Sequence, residues 1–312
     1  MGTAVVNPAG SDSVPLAVIG LGRMGSQLAR VLSRNGSSVA AWNRTDPDPN
    51  SWACSGVALH GNVESAVRDA VVVIAVPLAY ENTRESLASV VKNGGLRGKV
   101  LVSLTWGSLN DAVDMQRWCQ MAGAEYLDGS LLCYPDELGG PSGRIVISGS
   151  PAAAPDVVEV LAPLGSVQYI GADPAAANAL GTAAGAVFYH VALAAFYEAI
   201  AFASRCGVEP EVLLPEIRKM LDLLSTHVEI DINDIRSGRY DEPSATVDVQ
   251  LDGVRMAVED LDSVGQQSPL LRGFLELVEP LAASGHGKGS IARLYDLLRS
   301  QPGAGLPIAR SL

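Results

Sequence analysis

The chain has 312 residues, a length that favours two domains over one. Its 48% hydrophobic content, 5% aromatic content and 32 glycines describe an α/β protein rich in small apolar residues and exclude a disordered chain. A net charge of −12, with no cluster of Lys and Arg to displace phosphate counterions, argues against nucleic acid as a partner.

The N-terminal stretch 1–13 lacks a positive segment followed by a long apolar run. It reads as a flexible leader rather than a secretion signal, and the protein is expected to be cytoplasmic. Residues 14–20 (VPLAVIG) form a β-branched apolar run that stops at glycine, the pattern of a buried parallel strand. A turn, Gly20-Leu21-Gly22-Arg23-Met24-Gly25, opens SQLARVLSRNG, whose apolar residues recur at helical spacing up to Gly36. SSVAAWNR then gives a second strand. Two more buried strands follow, VVVIAVP at 71–77 and KVLVSLT at 99–105, with helical patterns between them. AEYLDGSLL and GRIVISG supply later strands. Strands alternating with helices predict a doubly wound, mostly parallel sheet over 14–171.

After about Gly171 the strand signals stop, and helical stretches run to Arg299. Between Asp173 and Glu198 there is no Asp, Glu, Lys or Arg, a run long enough to imitate a transmembrane helix. Its apolar residues are mostly Ala, broken by Pro174, Asn178, Gly181, Thr182, Gly185 and His190. That composition suits a helix closely packed between protein surfaces better than a helix in lipid. Residues 172–312 are therefore expected to form a long interdomain helix and an all-α domain. A rod of roughly 50 Å exceeds one small domain, which points to a homodimer whose second copy wraps it. The cysteines Cys54, Cys119, Cys133 and Cys206 are scattered with no CxxC pair. They are expected to be small buried core residues, and no metal site is expected.

The turn at Gly20, Gly22 and Gly25 stands where a dinucleotide fingerprint must stand, directly after a strand and opening a helix. The first glycine makes the tight turn, the second admits the pyrophosphate to the backbone, and the third lets helix pack on strand. Cofactor preference is read at the end of the second strand. An acid there would bind the ribose 2′-hydroxyl of NADH. Here Asn43-Arg44-Thr45 supplies a guanidinium and a hydroxyl, groups suited to a 2′-phosphate, so the cofactor is expected to be NADPH. Asp46 and Asp48 follow closely and weaken the local positive field. The strand end Val76-Pro77-Leu78 and Thr105 complete the expected cofactor set.

GLGRMG followed by WNRT is shared by the 3-hydroxyisobutyrate (β-hydroxyacid) dehydrogenases and the related imine reductases. Later segments resemble the imine reductases. Ser103-Leu104-Thr105-Trp106-Gly107-Ser108 is similar to their NLT-TG-T-P motif; AEYLDGSLL with Pro135, Gly139 and Ser148-Gly149-Ser150 is similar to their YLDG…P…G…SG pattern; Ser284-Gly285-His286-Gly287-Lys288 and ARLYDLLR resemble their AGHG…LR ending. The resemblance spans residues 14–299. It implies an N-terminal Rossmann domain, a long interdomain helix, a helical C-terminal domain like that of 6-phosphogluconate dehydrogenase exchanged between two subunits, and a cleft between one subunit's Rossmann domain and its partner's helices.

The resemblance also locates the reacting position. β-Hydroxyacid dehydrogenases carry a lysine base early in the long helix, in GxGxxxKxxNN. This chain has no lysine between Lys99 and Lys219; that place falls near Thr182, and Gly185 and Ala186 stand near the places of the paired asparagines. Many imine reductases have Asp or Tyr there, and this chain departs from that pattern too. A threonine hydroxyl is a poor acid, which leaves two possibilities. Tyr189 or His190, about two α-helical turns on, supplies the proton, or the substrate arrives as a cationic iminium and needs only hydride and orientation. Trp106 and His227 are expected beside the substrate. Asp128 reads as a turn-shaping residue, His286 as a helix-junction residue, and Glu259, Asp260 and Asp262 as a solvated patch. The expected activity is NADPH-dependent reduction of a cyclic imine or iminium to an amine, in secondary metabolism. A β-hydroxyacid dehydrogenase or carbonyl reductase, and a non-catalytic NADP-binding protein, are the alternatives.

Overall fold

In a computed structural model, the described residues are 14–241 and 243–301. The expected leader, 1–13, lies outside them. The chain divides into two compact units, the first ending at Phe188 and the second beginning at Tyr189.

The first unit alternates strands and helices: β1 (Leu16–Ile19), α1 (Arg23–Arg34), β2 (Val39–Trp42), β3 (Ala58–Leu59), α2 (Val63–Val67), β4 (Val72–Ala75), α3 (Tyr80–Lys92), β5 (Val100–Ser103), α4 (Leu109–Met121), β6 (Glu125–Leu131), β7 (Arg144–Gly149), α5 (Ala154–Leu161) and β8 (Ser166–Tyr169). The eight strands form one sheet in the order β3-β2-β1-β4-β5-β6-β7-β8. The first six are parallel, β7 runs antiparallel to β6, and β8 is parallel to β7. The order reverses between β1 and β4, and a doubly wound sheet binds its ligand in the crevice outside the strand ends at such a point.

Strand alternation divides the core. Leu16, Val18, Val72, Ile74, Val100 and Val102 face α1 and α5, in a cluster with Leu28, Leu32, Val157 and Leu161. Ala17, Ile19, Val73, Leu101 and Tyr126 face the other way, with Leu87, Met115 and Cys119 from α3 and α4. The central strands β1, β4 and β5 are buried on both faces, which is why they read as continuous apolar runs. The short strand β3 and the edge strand β8 carry no such run: two residues give no periodicity, and β8 alternates exposed and half-buried positions. Ser108 caps α4 in a reciprocal capping box with Asp111.

A helix without a break in its winding runs over Ala175–Arg205, where 31 residues satisfy the length and hydropathy of a membrane span. It starts as α6 (Ala175–Gly181), is π-helical over Thr182–Tyr189, and continues as α7 (His190–Arg205). The second unit comprises α7, α8 (Pro210–Ser237), α9 (Val247–Ser263), α10 (Pro269–Leu281) and α11 (Leu294–Ser300). Its core is small: Val247, Leu251, Val278 and Leu281. Glu198 ties α7 to the α10 N-cap through Ser268 Oγ, and its carbonyl accepts from Gln266 Nε2 at 2.9 Å. The helix α8 has no buried residue along its 28 residues.

The cysteines depart from expectation. Cys119 alone is buried; Cys133 is half-buried, and Cys54 and Cys206 are exposed. Cys54 lies just beyond a short 3-10 turn and Cys206 at the C-cap of α7, positions with no core face to turn toward.

Candidate active site

The glycine turn after β1 is shaped by its neighbours. Gly20 takes φ +98, and a Cβ there would stand 3.1 Å from the Val76 carbonyl carbon and oxygen and 3.2 Å from the Pro77 nitrogen. A Cβ on Gly25 would overlap the Gly20 carbonyl oxygen. Gly22 is different: nothing lies within 4 Å of its missing Cβ. Gly22 is also the N-cap of α1 and provides no side-chain cap, so the amides of Arg23, Met24 and Gly25 face an open space at the positive end of a helix. Backbone donors, the helix dipole and room for close approach together fit a pyrophosphate. Arg23 also lines a cavity of about 440 Å³ with Ser26, Gln27, Arg30, Pro135 and Asp136.

The β2 end is tied to this turn. Asn43 Oδ1 accepts from the Leu21 amide at 2.9 Å, and Asn43 Nδ2 donates to the Thr45 carbonyl at 2.7 Å. The Asn43 side chain is therefore spent on holding the two loops together. Arg44 and Thr45 are exposed beside it, and among the described residues Arg44 has no ion-pair partner. Asp48 is occupied as a cap, accepting from the Asn50 amide at 3.0 Å. A guanidinium without an internal carboxylate fits a 2′-phosphate.

On the other side of the switch point, Val76 and Pro77 are half-buried, while Leu78 is 95% exposed. Thr105 is buried, and among the described residues its Oγ1 has no hydrogen-bond partner. Trp106 follows it, 55% exposed. A Cβ on Gly185 would lie 3.2 Å from the Trp106 ring, so glycine at this point of the π-helical stretch lets indole and helix backbone meet. Gly181, one turn earlier, has the same role against Ser130, whose Oγ donates to the Ala177 carbonyl at 2.8 Å. Thr182 starts the π-helical stretch and is half-buried. Bonding from i to i+5 takes more than 3.6 residues per turn. The expectation that Tyr189 returns to the face of Thr182 assumed α-helical phase, and the wider winding removes it. Tyr189 and His190 are exposed and make an edge contact with ring centroids 5.6 Å apart. In the second unit His227 is half-buried on α8 near Asp231 and works against that carboxyl's burial-driven rise in pKa. His286 ends a short π-helical segment where Gly285 has φ +90, and Asp262 pairs with Arg272 at 2.6 Å.

Asp128 is not a turn residue. It lies within β6, fully buried, at the position paired with Ser103 of β5. Its Oδ2 accepts from Tyr126 at 2.5 Å and Tyr80 at 2.7 Å, while among the described residues Oδ1 has no hydrogen-bond partner. Burial drives its pKa up to about 7, against the pull of the two phenols and the Gly129 amide. Tyr80 accepts from Asn178 Nδ2 at 3.1 Å, and that nitrogen also donates to the Ser108 carbonyl at 3.2 Å. Sequence reasoning missed this group; the signal was a carboxylate, Asp128, in the middle of the buried stretch of β6. Among the described residues, no three His, Cys, Asp or Glu side chains are grouped to hold a metal ion.

Residues 15–171 match the family model described as the NAD binding domain of 6-phosphogluconate dehydrogenase, and residues 173–300 match the C-terminal domain described as NADPH-dependent reductive aminase-like. The chain is 23% identical over 289 residues to an NADPH-dependent reductive aminase of Aspergillus oryzae, covering 91% of this chain and 97% of that one. A reductive aminase from Aspergillus terreus, solved with NADPH and ethyl levulinate, superposes with a TM-score of 0.84 at 25% identity over 92% of this chain and all of that one. An imine reductase from Myxococcus stipitatus, solved with NADP+, gives 0.85 at 26% identity over 91% and 99%. The chain belongs to this family, the imine reductases and reductive aminases: NADPH-dependent oxidoreductases with a Rossmann domain and a helical C-terminal domain, which reduce C=N bonds.

Proposed function

We propose that this reductase acts on substrates that reach it as cationic iminium ions, cyclic or derived from heteroaromatic precursors, and releases secondary or tertiary amines. The observation that carries this reading is Thr182. A group that does not titrate near neutral pH stands where the reacting position is expected, one turn from a glycine that seats Trp106 against the helix. An iminium is already electrophilic and needs no acid. An indole face attracts a cation, by about 0.5–2 kcal/mol depending on desolvation, and Leu78 and Trp106 offer apolar surface that excludes water from it.

NADPH, when bound, supplies the hydride. The amides of residues 23–25 hold its pyrophosphate, Arg44 and Thr45 its 2′-phosphate, and Val76, Pro77, Leu78 and Thr105 its nicotinamide end. Asn43 contributes by fixing the two loops rather than by touching the cofactor. With Tyr189 turned off the face of Thr182, no acid is assigned at the reacting position; Tyr189 and His190 are the side chains to test as proton source for a neutral imine, and His227 is a substrate contact.

The working form is a homodimer with exchanged helical domains, in the cytoplasm. Support comes from apolar surface that the described residues do not cover. Val212, Leu214, Met220, Leu221, Leu223 and Leu224 are exposed along α8, and almost none of the most apolar part of the long helix is buried. A second copy would cover both, which accounts for the helix's hydropathy without a membrane. A specialised biosynthetic substrate would suit the departure at Thr182.

Turnover across pH tests the substrate class. A neutral imine must be protonated before it accepts hydride, so without a protein acid its rate falls as pH rises, while an N-alkyl iminium salt keeps its rate. Equal pH profiles for the two would place an acid in the protein and refute the iminium reading.

A further inference from the structure

Three chain segments that carry the expected nicotinamide and substrate contacts converge beneath the crevice on one phenol. Tyr80 is the first residue of α3, two positions after Leu78, and is 3% exposed. Its ring lies where a Cβ on Gly107 would be, so the loop after β5 rests directly on it. Its hydroxyl donates to Asp128 and accepts from Asn178, one turn before Thr182, and Asn178 also holds the Ser108 carbonyl. The segment after β4 brings Val76, Pro77 and Leu78; the segment after β5 brings Thr105 and Trp106; α6 brings Thr182.

A buried carboxyl with one unpartnered oxygen is a costly way to fill a core, and apolar side chains of equal volume would serve stability better. What the polar group adds is direction: each hydrogen bond accepts one geometry, and the three segments cannot slide without breaking one. We propose that Tyr80, oriented by Asp128, is a positioning residue of the reductase that sets the nicotinamide-side loops and the start of the long helix relative to one another. This rests on the assignment of those segments to the nicotinamide and substrate side of the site.

Tyr126 provides an internal comparison. Its hydroxyl donates to the same Asp128 oxygen and lies within hydrogen-bonding reach of the Tyr80 hydroxyl, but it belongs to β6 itself, and among the described residues it makes no hydrogen bond to Asn178 or to the loop after β5. Tyr80→Phe and Tyr126→Phe each delete one hydroxyl from Asp128 and keep the ring that fills the core. Amide hydrogen exchange on the full chain without cofactor is the first readout. Tyr80→Phe is expected to raise exchange several-fold over 76–80, 105–109 and 178–182, and Tyr126→Phe is not. Kinetics are the second. Tyr80→Phe is expected to lower kcat by about tenfold or more, since misplacement of about 1 Å costs up to about 100-fold. The NADPH KM should stay within about twofold, because the phosphate turn is untouched. Tyr126→Phe should keep kcat. Equal effects of the two variants, or faster exchange in Tyr80→Phe with kcat unchanged, would overturn the proposal. Loosened segments in an enzyme whose wild type reduces no C=N substrate would instead count against the substrate assignment and leave the positioning result standing.

Discussion

Replacing Asp128 by Asn removes a titration from the core while keeping its hydrogen bonds, because the amide oxygen has two lone pairs for the Tyr80 and Tyr126 hydroxyls. The folded carboxyl is pushed from its ordinary 3.8 up to about 7. An acid whose pKa is raised by folding binds more protons in the folded than in the unfolded state between those values. Stability therefore falls as pH rises through that window and levels off above about pH 7. At about 1.4 kcal/mol for each pH unit crossed, the whole window is worth about 4 kcal/mol, and more than half of it falls between about pH 5 and pH 8. Asn does not titrate, so wild type should lose that amount relative to Asp128→Asn over the same interval. For a chain of this length the change is a Tm difference of roughly 4 °C, readable by calorimetry at the two pH values. A Tm difference independent of pH, or one moving in favour of wild type at high pH, would refute the assignment of burial as the dominant influence on this carboxyl.

Arg44→Ala should raise the NADPH KM by about tenfold or more, as expected for losing a charge-assisted contact worth about 1.5–3 kcal/mol, and leave the NADH KM nearly unchanged; equal losses for both cofactors would remove the 2′-phosphate role. Gly185→Ala places a methyl 3.2 Å from the Trp106 ring, so the indole must move, and the substrate KM should change severalfold while NADPH affinity by fluorescence titration stays the same; a loss of NADPH affinity alone would put Trp106 on the cofactor. Tyr189→Phe and His190→Ala should slow neutral imines more than N-alkyl iminium salts if either donates a proton, and the ratio of the two rates decides it. Leu221→Glu with Leu224→Glu should convert a dimer to a monomer in light scattering, and an unchanged mass would show that α8 is not the covered face.

Much of the first unit was legible because its physics is local. The β1, β4 and β5 runs are apolar on both faces, and only glycine satisfies the contacts at 20 and 25. Arg44 stands two residues beyond the end of β2, where the spacing after the strand run expects it. The Tyr80–Asp128–Asn178 group was not legible: its members are 48 and 50 residues apart in sequence, and only the sheet register and the seating of α6 bring them together. The π-helical winding at Thr182–Tyr189 was equally hidden, since an Ala- and Gly-rich run has no periodicity strong enough to distinguish one helical pitch from another. Exposed Cys54 and Cys206 show the limit of residue-type averages, because their elements end where no core face exists.

This Rossmann reductase delivers the hydride of NADPH to C=N bonds and has no base for alcohol chemistry at Thr182. NADPH consumption should be followed with cyclic imines, N-alkyl iminium salts and β-keto acids in parallel. The C=N substrates should turn over, fastest for the iminium salts, and the keto acids should not. Turnover confined to the keto acids would contradict it.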